Sequence, residues 1–230
     1  MKVSVLLAKT FFKIALSLVT LSLMLLASTL NAAYHAMARD SHECVKGARS
    51  YAATLVMDPV GSGGIATQVG LYFTDSRRGV AWFLIGFIRS SANNQLELYS
   101  EYQFLGGTAQ WGFRIPASFL TYYTIETIIS VSQGGNYVIF RVNGQSRYVV
   151  SLPDPLYVEL PYIAIVHAES DHEDNELLVD YKLLRYAPYP EGPGSQPSWS
   201  PWEDPFILYE QDNMEVNILS DTHIMIAQNR

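Results

Sequence analysis

Residues 122–152 constrain the fold more than any other stretch of this sequence, because they contain three consecutive β-type runs. Residues 123–131 alternate in polarity with a period near two, which is typical of a strand with one buried face. The next two runs, residues 137–142 and 145–152, flank the pair Asn143-Gly144. Asparagine and glycine tolerate the positive φ angles of a type I′ turn, so this pair predicts a β-hairpin with a two-residue loop.

Short runs rich in β-branched and aromatic residues recur along the rest of the chain, separated by Gly, Pro, Asn and Asp. Residues 80–89 form a nearly unbroken apolar run, which predicts a strand buried on both faces. No amphipathic helix pattern separates the runs, so the sequence predicts an all-β sandwich or barrel. Besides the three runs above, the predicted strands are residues 51–57, 66–74, 80–89, 95–105, 111–115, 156–160, 162–168 and 177–187.

The first 38 residues have the organisation of a secretory signal peptide. Three lysines precede or flank an apolar run at residues 14–30, and small residues follow up to Ala38. Cleavage is predicted after Ala38 or after Ala33. An uncleaved signal anchor is the alternative, because the apolar run just reaches the length of a membrane span. In either case the sequence predicts an exported protein, extracellular or at the cell surface.

Charge and cysteine content exclude several partners and sites. The chain has 15 basic and 22 acidic residues and a formal net charge of −7. This balance disfavours nucleic acid as a partner, and it disfavours a membrane except through an uncleaved leader. Cys44 is the single cysteine, so neither an intramolecular disulfide nor a cysteine-based zinc cluster can form.

Composition divides the chain into four parts. The leader over residues 1–38 precedes a predicted sandwich over residues 39–187. Residues 188–205 contain six prolines, which lack backbone donors and predict an extended linker. Residues 206–230 form a C-terminal extension with a predicted β-hairpin. This extension either docks on its own sandwich or acts as an arm that adds strands to a neighbouring copy and builds a homo-oligomer.

Residues 68–187 resemble the concanavalin A-like lectin/glucanase superfamily of jelly rolls. The resemblance rests on residues 69–73, the run that begins at Tyr123, the strand that ends at Asn143-Gly144, and Val179-Asp180-Tyr181 in the last predicted strand. It implies a two-sheet antiparallel jelly-roll sandwich that often binds its ligand on a concave sheet face or at rim loops. The expected fold is therefore an all-β jelly-roll sandwich, preceded by an N-terminal signal or anchor helix and followed by a Pro-rich linker and a terminal β-hairpin.

An acidic run at residues 169–176 is a candidate for chemistry. The spacing of Glu169 and Glu173 resembles that of the catalytic acids of laminarinase-like glycoside hydrolases in that superfamily. A strand would place both side chains on one face. We favour a solvated hairpin loop, because five acids in eight residues are typical of one. His167, just before the run, is expected to be packed or hydrogen-bonded rather than a metal ligand. A calcium site is the remaining interpretation, with oxygen ligands from Asp171, Glu173, Asp174 and Asn175.

Aromatic residues on the predicted central strands suggest sugar binding, because sugars stack on Trp and Tyr rings while polar side chains bond their hydroxyls. Tyr99 and Glu101 share the polar face of one strand with Glu97, which makes them the best candidates for exposed contacts. The alternative for Trp82 and Trp111 is the core. The full set of candidate ligand-binding residues is Trp82, Arg89, Glu97, Tyr99, Glu101 and Trp111.

The sequence thus favours a non-catalytic, secreted or cell-surface sandwich that binds glycan or another envelope component. One alternative is a structural subunit of an extracellular filament or envelope that uses its C-terminal arm for strand addition. A second is a glycoside hydrolase of laminarinase-like type, which requires the acidic run to be catalytic. On the favoured interpretation, replacing Glu169 or Glu173 by Gln abolishes no hydrolysis. Calcium is the one cofactor considered.

Overall fold

A computed structural model describes residues 34–60, 63–192, 195–211 and 213–228, and residues 1–33 of the predicted leader lie outside them. The described residues form fifteen strands and one short helix. Within these ranges no helix is long and apolar enough to cross a membrane. The elements are β1 (Tyr34–Arg39), β2 (Gly47–Asp58), β3 (Gly64–Asp75), β4 (Gly79–Ser90), β5 (Glu97–Gln103), β6 (Gln110–Pro116), β7 (Tyr123–Ser132), β8 (Gly135–Val142), β9 (Gln145–Ser151), α1 (Leu156–Glu159), β10 (Ile163–Ser170), β11 (Glu176–Ala187), β12 (Ser200–Pro201), β13 (Phe206–Glu210), β14 (Met214–Ser220) and β15 (His223–Gln228).

Two antiparallel sheets form a sandwich, as the sequence predicted. Sheet A has the strand order β13-β1-β10-β3-β4-β5-β6. Sheet B has the order β14-β15-β11-β2-β7-β8-β9, and β12 pairs with β11 beside that path. Sequence neighbours such as β3, β4 and β5 are adjacent in sheet A, whereas β10 and β1 join them from distant parts of the chain.

The hairpin predicted at Asn143-Gly144 is confirmed. Val142 pairs with Gln145, so the loop between β8 and β9 has two residues. The φ angles of Asn143 and Gly144 are 50° and 75°, as a type I′ turn requires. β7 pairs with the other side of β8, so the three runs are consecutive strands at one edge of sheet B.

Alternate residues of the two sheets face each other and form the main core. In sheet A these include Val69 and Leu71 of β3 and Phe83 and Ile85 of β4. The residues between them point away from sheet B, yet they are buried as well, so the prediction that β4 is buried on both faces is confirmed. A sheet covered on both faces leaves little water for polar side chains, and any such residue must find a partner inside the protein.

The structure places a helix where the sequence predicted a strand at residues 156–160. The Asp154 carboxylate accepts a hydrogen bond from the Leu156 backbone amide at 2.7 Å. Pro155, at the N-cap position, has helical backbone angles. Proline has no backbone N–H group, and this costs nothing at the start of a helix, where the first N–H groups have no partner within the helix. These two residues begin the single helical turn of α1, and the strand prediction is wrong for this reason.

The C-terminal extension completes both sheets of its own sandwich. β13 pairs with β1 at the edge of sheet A, and the predicted hairpin, β14 with β15, extends sheet B beside β11. Trp202, in the Pro-rich segment, is 1% exposed and belongs to the main core. The C-terminal strands bury only part of their apolar side chains against the sandwich: Val216 is buried, whereas Phe206 and Leu219 stay exposed.

β1 lies inside the segment that the sequence assigned to the leader. Ala36 and Ala38 are fully buried, and β1 pairs with β10 on one side and β13 on the other. Of the two predicted cleavage positions, the one after Ala33 leaves β1 intact, whereas cleavage after Ala38 would remove nearly all of it.

A chain that begins at Tyr34 should therefore melt at a higher temperature than one that begins at Arg39. Loss of β1 removes the pairing of two neighbouring strands, and each lost kcal/mol lowers the melting temperature of a domain of this size by roughly 2–4 °C. Thermal unfolding of the two purified chains measures the difference. Equal melting temperatures would show that β1 contributes nothing to the fold.

Candidate functional site

Gln68 is a polar residue in the middle of the most completely buried strand. Every residue of β3 from Gly64 to Phe73 is buried, and Gln68 itself has no exposed surface. Its neighbour Val69 faces the main core, so the Gln68 side chain lies on the face of sheet A that is turned away from sheet B. We call this face the outer face of sheet A.

Three side chains on the outer face satisfy the Gln68 amide. Its Nε2 donates to Glu101 Oε1 at 3.1 Å and to the Tyr99 hydroxyl. Its Oε1 accepts from His167 Nδ1 at 2.8 Å. Tyr99 and Glu101 belong to β5 and His167 to β10, so one amide on β3 connects side chains from two other strands.

Gly86 gives Gln68 the room to reach β5. β4 lies between β3 and β5, and Gly86 of β4 is paired with both Gln68 and Tyr99. A Cβ at Gly86 would lie 1.8 Å from the Thr67 carbonyl oxygen and 2.7 Å from Gln68 Cα. Because Gly86 has no side chain, the polar groups of β3 and β5 can meet across β4.

Two carboxyl groups are buried on the outer face without a basic partner. Glu101 is 8% exposed and Glu169 is 3% exposed, and no Lys or Arg in the described part of the chain forms a salt bridge with either. Burial raises the pKa of Glu101 to about 7, against the opposing effect of the hydrogen bond from Gln68. Burial, together with the charges of Glu101 and Asp171, holds the pKa of Glu169 well above its usual value. Buried carboxyls of this kind are suited to carrying protons in general acid–base catalysis.

Two histidines lie next to these acids. His167 is bonded to Gln68, and His35 joins the network through His167, since His35 Nδ1 and His167 Nε2 are 3.4 Å apart. Burial, with a contribution from His35, lowers the pKa of His167 to about 3, so this imidazole is neutral. Each of His35, His167 and Glu169 offers an atom within 4.8 Å of the others, and these residue types can hold a transition metal.

The sequence correctly placed Glu97, Tyr99 and Glu101 on one face of a strand, but their exposure differs from the expectation. Tyr99 is fully buried and Glu101 nearly so. Trp111 covers Tyr99, with ring centroids 5.4 Å apart, and is itself 41% exposed. Glu97 forms a salt bridge with Arg114 at the rim of the sheet. The alternative interpretation, that the Trp111 side chain lies in the core, is therefore wrong.

Trp82 and Arg89 lie outside the Gln68 network. Trp82 is 6% exposed and packs with Tyr72, Leu84 and Ile165, so the core alternative is confirmed for it. Arg89 lies at the end of β4, donates to the Asn94 carbonyl oxygen at 3.3 Å, and holds the neighbouring loops. Neither residue donates to or accepts from Gln68 in the described structure.

The acidic run is divided between a strand and a loop. Glu169 lies on β10 and is buried, so its predicted place in a solvated loop is wrong, whereas Glu173 is exposed in the loop as expected. β10 ends at Ser170, and the two acids therefore do not share a strand face as a glycosidase pair would. In the loop, Asp171 accepts from the Gly64 backbone amide at 2.6 Å and Asn175 accepts from the Val60 amide at 2.7 Å. The calcium site at Asp171, Glu173, Asp174 and Asn175 stays a prediction.

Sequence analysis missed Gln68 and His35. The available signal for Gln68 was a single amide in the middle of an otherwise apolar predicted strand. His35 was hidden because it lay within the segment assigned to the leader. His167 was expected to be packed or hydrogen-bonded, and its bond to Gln68 confirms this.

No protein-family model and no curated protein matches the sequence. Among solved structures, the chain is similar to scytalido-glutamic peptidase with a peptide-based transition state analog, at 13% identity and a TM-score of 0.55. It is also similar to the same peptidase with a transition state analog inhibitor, at 10% identity and a TM-score of 0.57. A third similar structure is SCP-B, a member of the eqolisin family of peptidases, at 12% identity and a TM-score of 0.51. Each match covers 87% of this chain and 100% of the other. Likeness at this identity shows a shared β-sandwich fold.

A homodimeric agglutinin from chicken liver also matches, at 11% identity over 65% of this chain and 98% of the other, but its TM-score of 0.32 supports no argument. The three structures described above that have a TM-score above 0.5 are all structures of peptidases. The prediction of a non-catalytic glycan-binding sandwich is therefore wrong. Its alternatives, an assembly subunit and a glycoside hydrolase, fail with it, since β13 to β15 pair within their own chain and Glu169 and Glu173 are separated.

Replacing Gly86 by Ala should destabilise the protein, because the new Cβ meets the backbone of β3, which cannot move without disturbing the sheet. Overpacking of this kind costs about 1–3 kcal/mol, occasionally more. Urea unfolding measures the loss. Gly134→Ala is the matched control, since the nearest atom to its Cβ is Tyr137 Oη at 3.6 Å. A Gly86→Ala protein as stable as the control would contradict the packing described for β3, β4 and β5.

Proposed function

We propose that this chain is a peptide hydrolase whose reacting groups are Glu169 and Gln68. The observation that carries the proposal is a buried carboxyl and a buried, fully oriented amide on the same face of sheet A. Gln68 pairs with His167 across β3 and β10, and Glu169 follows two residues later on the same side of β10. The carboxyl and the amide are therefore neighbours on the outer face.

Gln68 supplies hydrogen-bond donors for the negative charge that develops on a carbonyl oxygen when a peptide bond is attacked. Preorganised donors lower the barrier because they need no reorientation during the reaction. The two Nε2 hydrogens of Gln68 are directed at Glu101 and Tyr99. A substrate carbonyl oxygen that replaces one of these acceptors receives the N–H bond, while the other acceptor and His167 keep the amide in place.

Glu169 is the carboxyl that is available for proton transfer. The Glu101 carboxyl already accepts from Gln68, whereas no side-chain hydrogen bond to the Glu169 carboxyl is formed within the described part of the chain. In the reaction its carboxylate takes a proton from water as the oxygen of that water bonds to the peptide carbon. The same carboxyl then gives the proton to the nitrogen as the carbon–nitrogen bond breaks, which releases an amine and an acid.

The structural matches support peptide rather than another substrate class. Two of them carry the name glutamic peptidase and hold transition state analogs, one of which is peptide-based. The third is a peptidase in complex with the tripeptide Ala-Ile-His. A peptidase named for glutamic acid agrees with assigning proton transfer to a glutamate in this chain.

We further propose that the peptidase acts after export, with the leader removed after Ala33. The basic and apolar organisation of residues 1–33 supports export, and the pairing of β1 supports that cleavage position.

The two-sheet antiparallel sandwich also supports the finer assignment to the concanavalin A-like superfamily.

Replacing Glu169 by Gln should lower the rate of peptide cleavage by at least about 100-fold, because the amide cannot accept and return the proton. A mixture of peptides is incubated with the protein at acidic and at neutral pH, and new termini are counted by mass spectrometry. Glu173→Gln is the matched control and should cleave like the wild type, since Glu173 lies in the exposed loop.

Two results would contradict the proposal. One is a Glu169→Gln protein that is folded and cleaves as fast as the Glu173→Gln control. The other is a folded wild-type protein that cleaves no peptide in the mixture at either pH.

A further inference from the structure

We propose that His35, His167 and Glu169 bind a divalent transition-metal ion of the zinc type, and that the bound ion inhibits the hydrolase by occupying Glu169. The inhibitory part rests on the function proposed above, whereas the binding part stands on the side-chain geometry alone. The three residues come from β1 and β10, which are adjacent antiparallel strands, and His35 is directly paired with Glu169.

The two histidines already direct ring nitrogens at each other. His35 Nδ1 and His167 Nε2 are 3.4 Å apart, the ring centroids are 5.7 Å apart, and the planes are within 15° of parallel. This centroid distance is that of two imidazoles whose nitrogens face each other along the line between the rings. Two nitrogens bound to tetrahedral zinc at 2.0–2.1 Å are about 3.4 Å apart. Turning each ring by about 35° from this line, with the proton of His35 on Nε2, would direct both nitrogens at one ion at the separation that the protein already has.

Gln68 fixes His167 in the form that a metal requires. Because Gln68 Oε1 accepts from His167 Nδ1 at 2.8 Å, the proton of the neutral ring lies on Nδ1 and Nε2 carries a lone pair. Histidine ligands commonly donate their second nitrogen to such an acceptor, which sets the ring's orientation and strengthens it as a ligand. Gln68 thus has the position of a supporting residue behind a metal ligand.

Charge also favours a cation at this position. Glu101 and Glu169 are both buried acidic side chains on this face of sheet A. No Lys or Arg of the described residues forms a salt bridge with them. An uncompensated buried carboxylate is costly, and a divalent ion beside Glu169 would remove that cost.

The ligand set selects the class of metal. Two imidazoles with one carboxylate suit zinc and its neighbours, whereas calcium and magnesium prefer oxygen ligands throughout. The site is distinct from the predicted calcium loop, of which Glu173 and Asp174 are exposed.

Isothermal titration of the metal-free wild-type chain with Zn²⁺ at neutral pH tests binding. We expect one ion per chain, and Co²⁺ in place of Zn²⁺ should give the visible absorption of a cobalt–histidine site. His35→Gln should weaken Zn²⁺ binding by about tenfold or more, the lower range seen when a supporting residue is lost. His172→Gln is the matched control with unchanged binding, because His172 lies in the exposed loop.

Peptide cleavage measured with and without Zn²⁺ tests the inhibitory part. The wild type and His172→Gln should lose activity as Zn²⁺ saturates the site. His35→Gln should keep a larger fraction of its own metal-free rate than the wild type does at the same Zn²⁺ concentration, since it binds the ion less tightly.

Three results would overturn the inference. They are no Zn²⁺ bound by the folded wild type, equal Zn²⁺ affinity of the wild type and His35→Gln, and activation of cleavage by Zn²⁺. The binding results need no substrate. A chain that binds Zn²⁺ but cleaves no peptide would thus refute the proposed hydrolase and the inhibition, while the metal site would stand.

Discussion

Burial of both faces of the central strands of sheet A, β3 and β4, is the constraint on which the rest of this structure depends. One face packs against sheet B through side chains such as Phe83 and Ile85. The outer face of β3 and β4 is buried too, so the polar groups there have little access to water and bond to one another. Gln68 meets this requirement by joining Glu101, Tyr99 and His167. The candidate site is a consequence of this enforced pairing.

The same constraint gives the site its rigidity. Each side chain stands on a strand that is paired on both sides, and Gly86 leaves a gap through which the groups meet. A register shift between β5 and β6 places Trp111 opposite Glu101, where its ring covers Tyr99. Groups held in this way lose little entropy and need little reorganisation when they meet a substrate, which is what electrostatic catalysis requires. Burial also leaves two carboxyls without a basic partner, and the proposed proton transfer and the proposed metal binding would each compensate for that deficit of positive charge.

Local sequence patterns predicted the elements of this fold but not the site. Asn143-Gly144 specified its hairpin because a two-residue turn depends only on adjacent residues. Residues 80–89 specified a doubly buried strand because their apolar run is continuous. The alternation around Tyr99 gave the correct face, yet it could not show that Trp111 covers that face. Gln68 meets partners 31, 33 and 99 residues away, and no local pattern encodes which strands become neighbours. β1 was assigned to the leader because its small residues, which pack in the core, match a cleavage site equally well.

A structure of the wild-type protein with a peptide-based transition state analog would test the central claim most directly. The account predicts that the tetrahedral centre of the analog lies on the outer face of sheet A. One of its oxygens should accept a hydrogen bond from Gln68 Nε2, and Glu169 should lie within hydrogen-bonding distance of the same centre. An analog bound elsewhere, such as in the cavity of sheet B lined by Arg49, Glu126 and Arg141, would contradict the account.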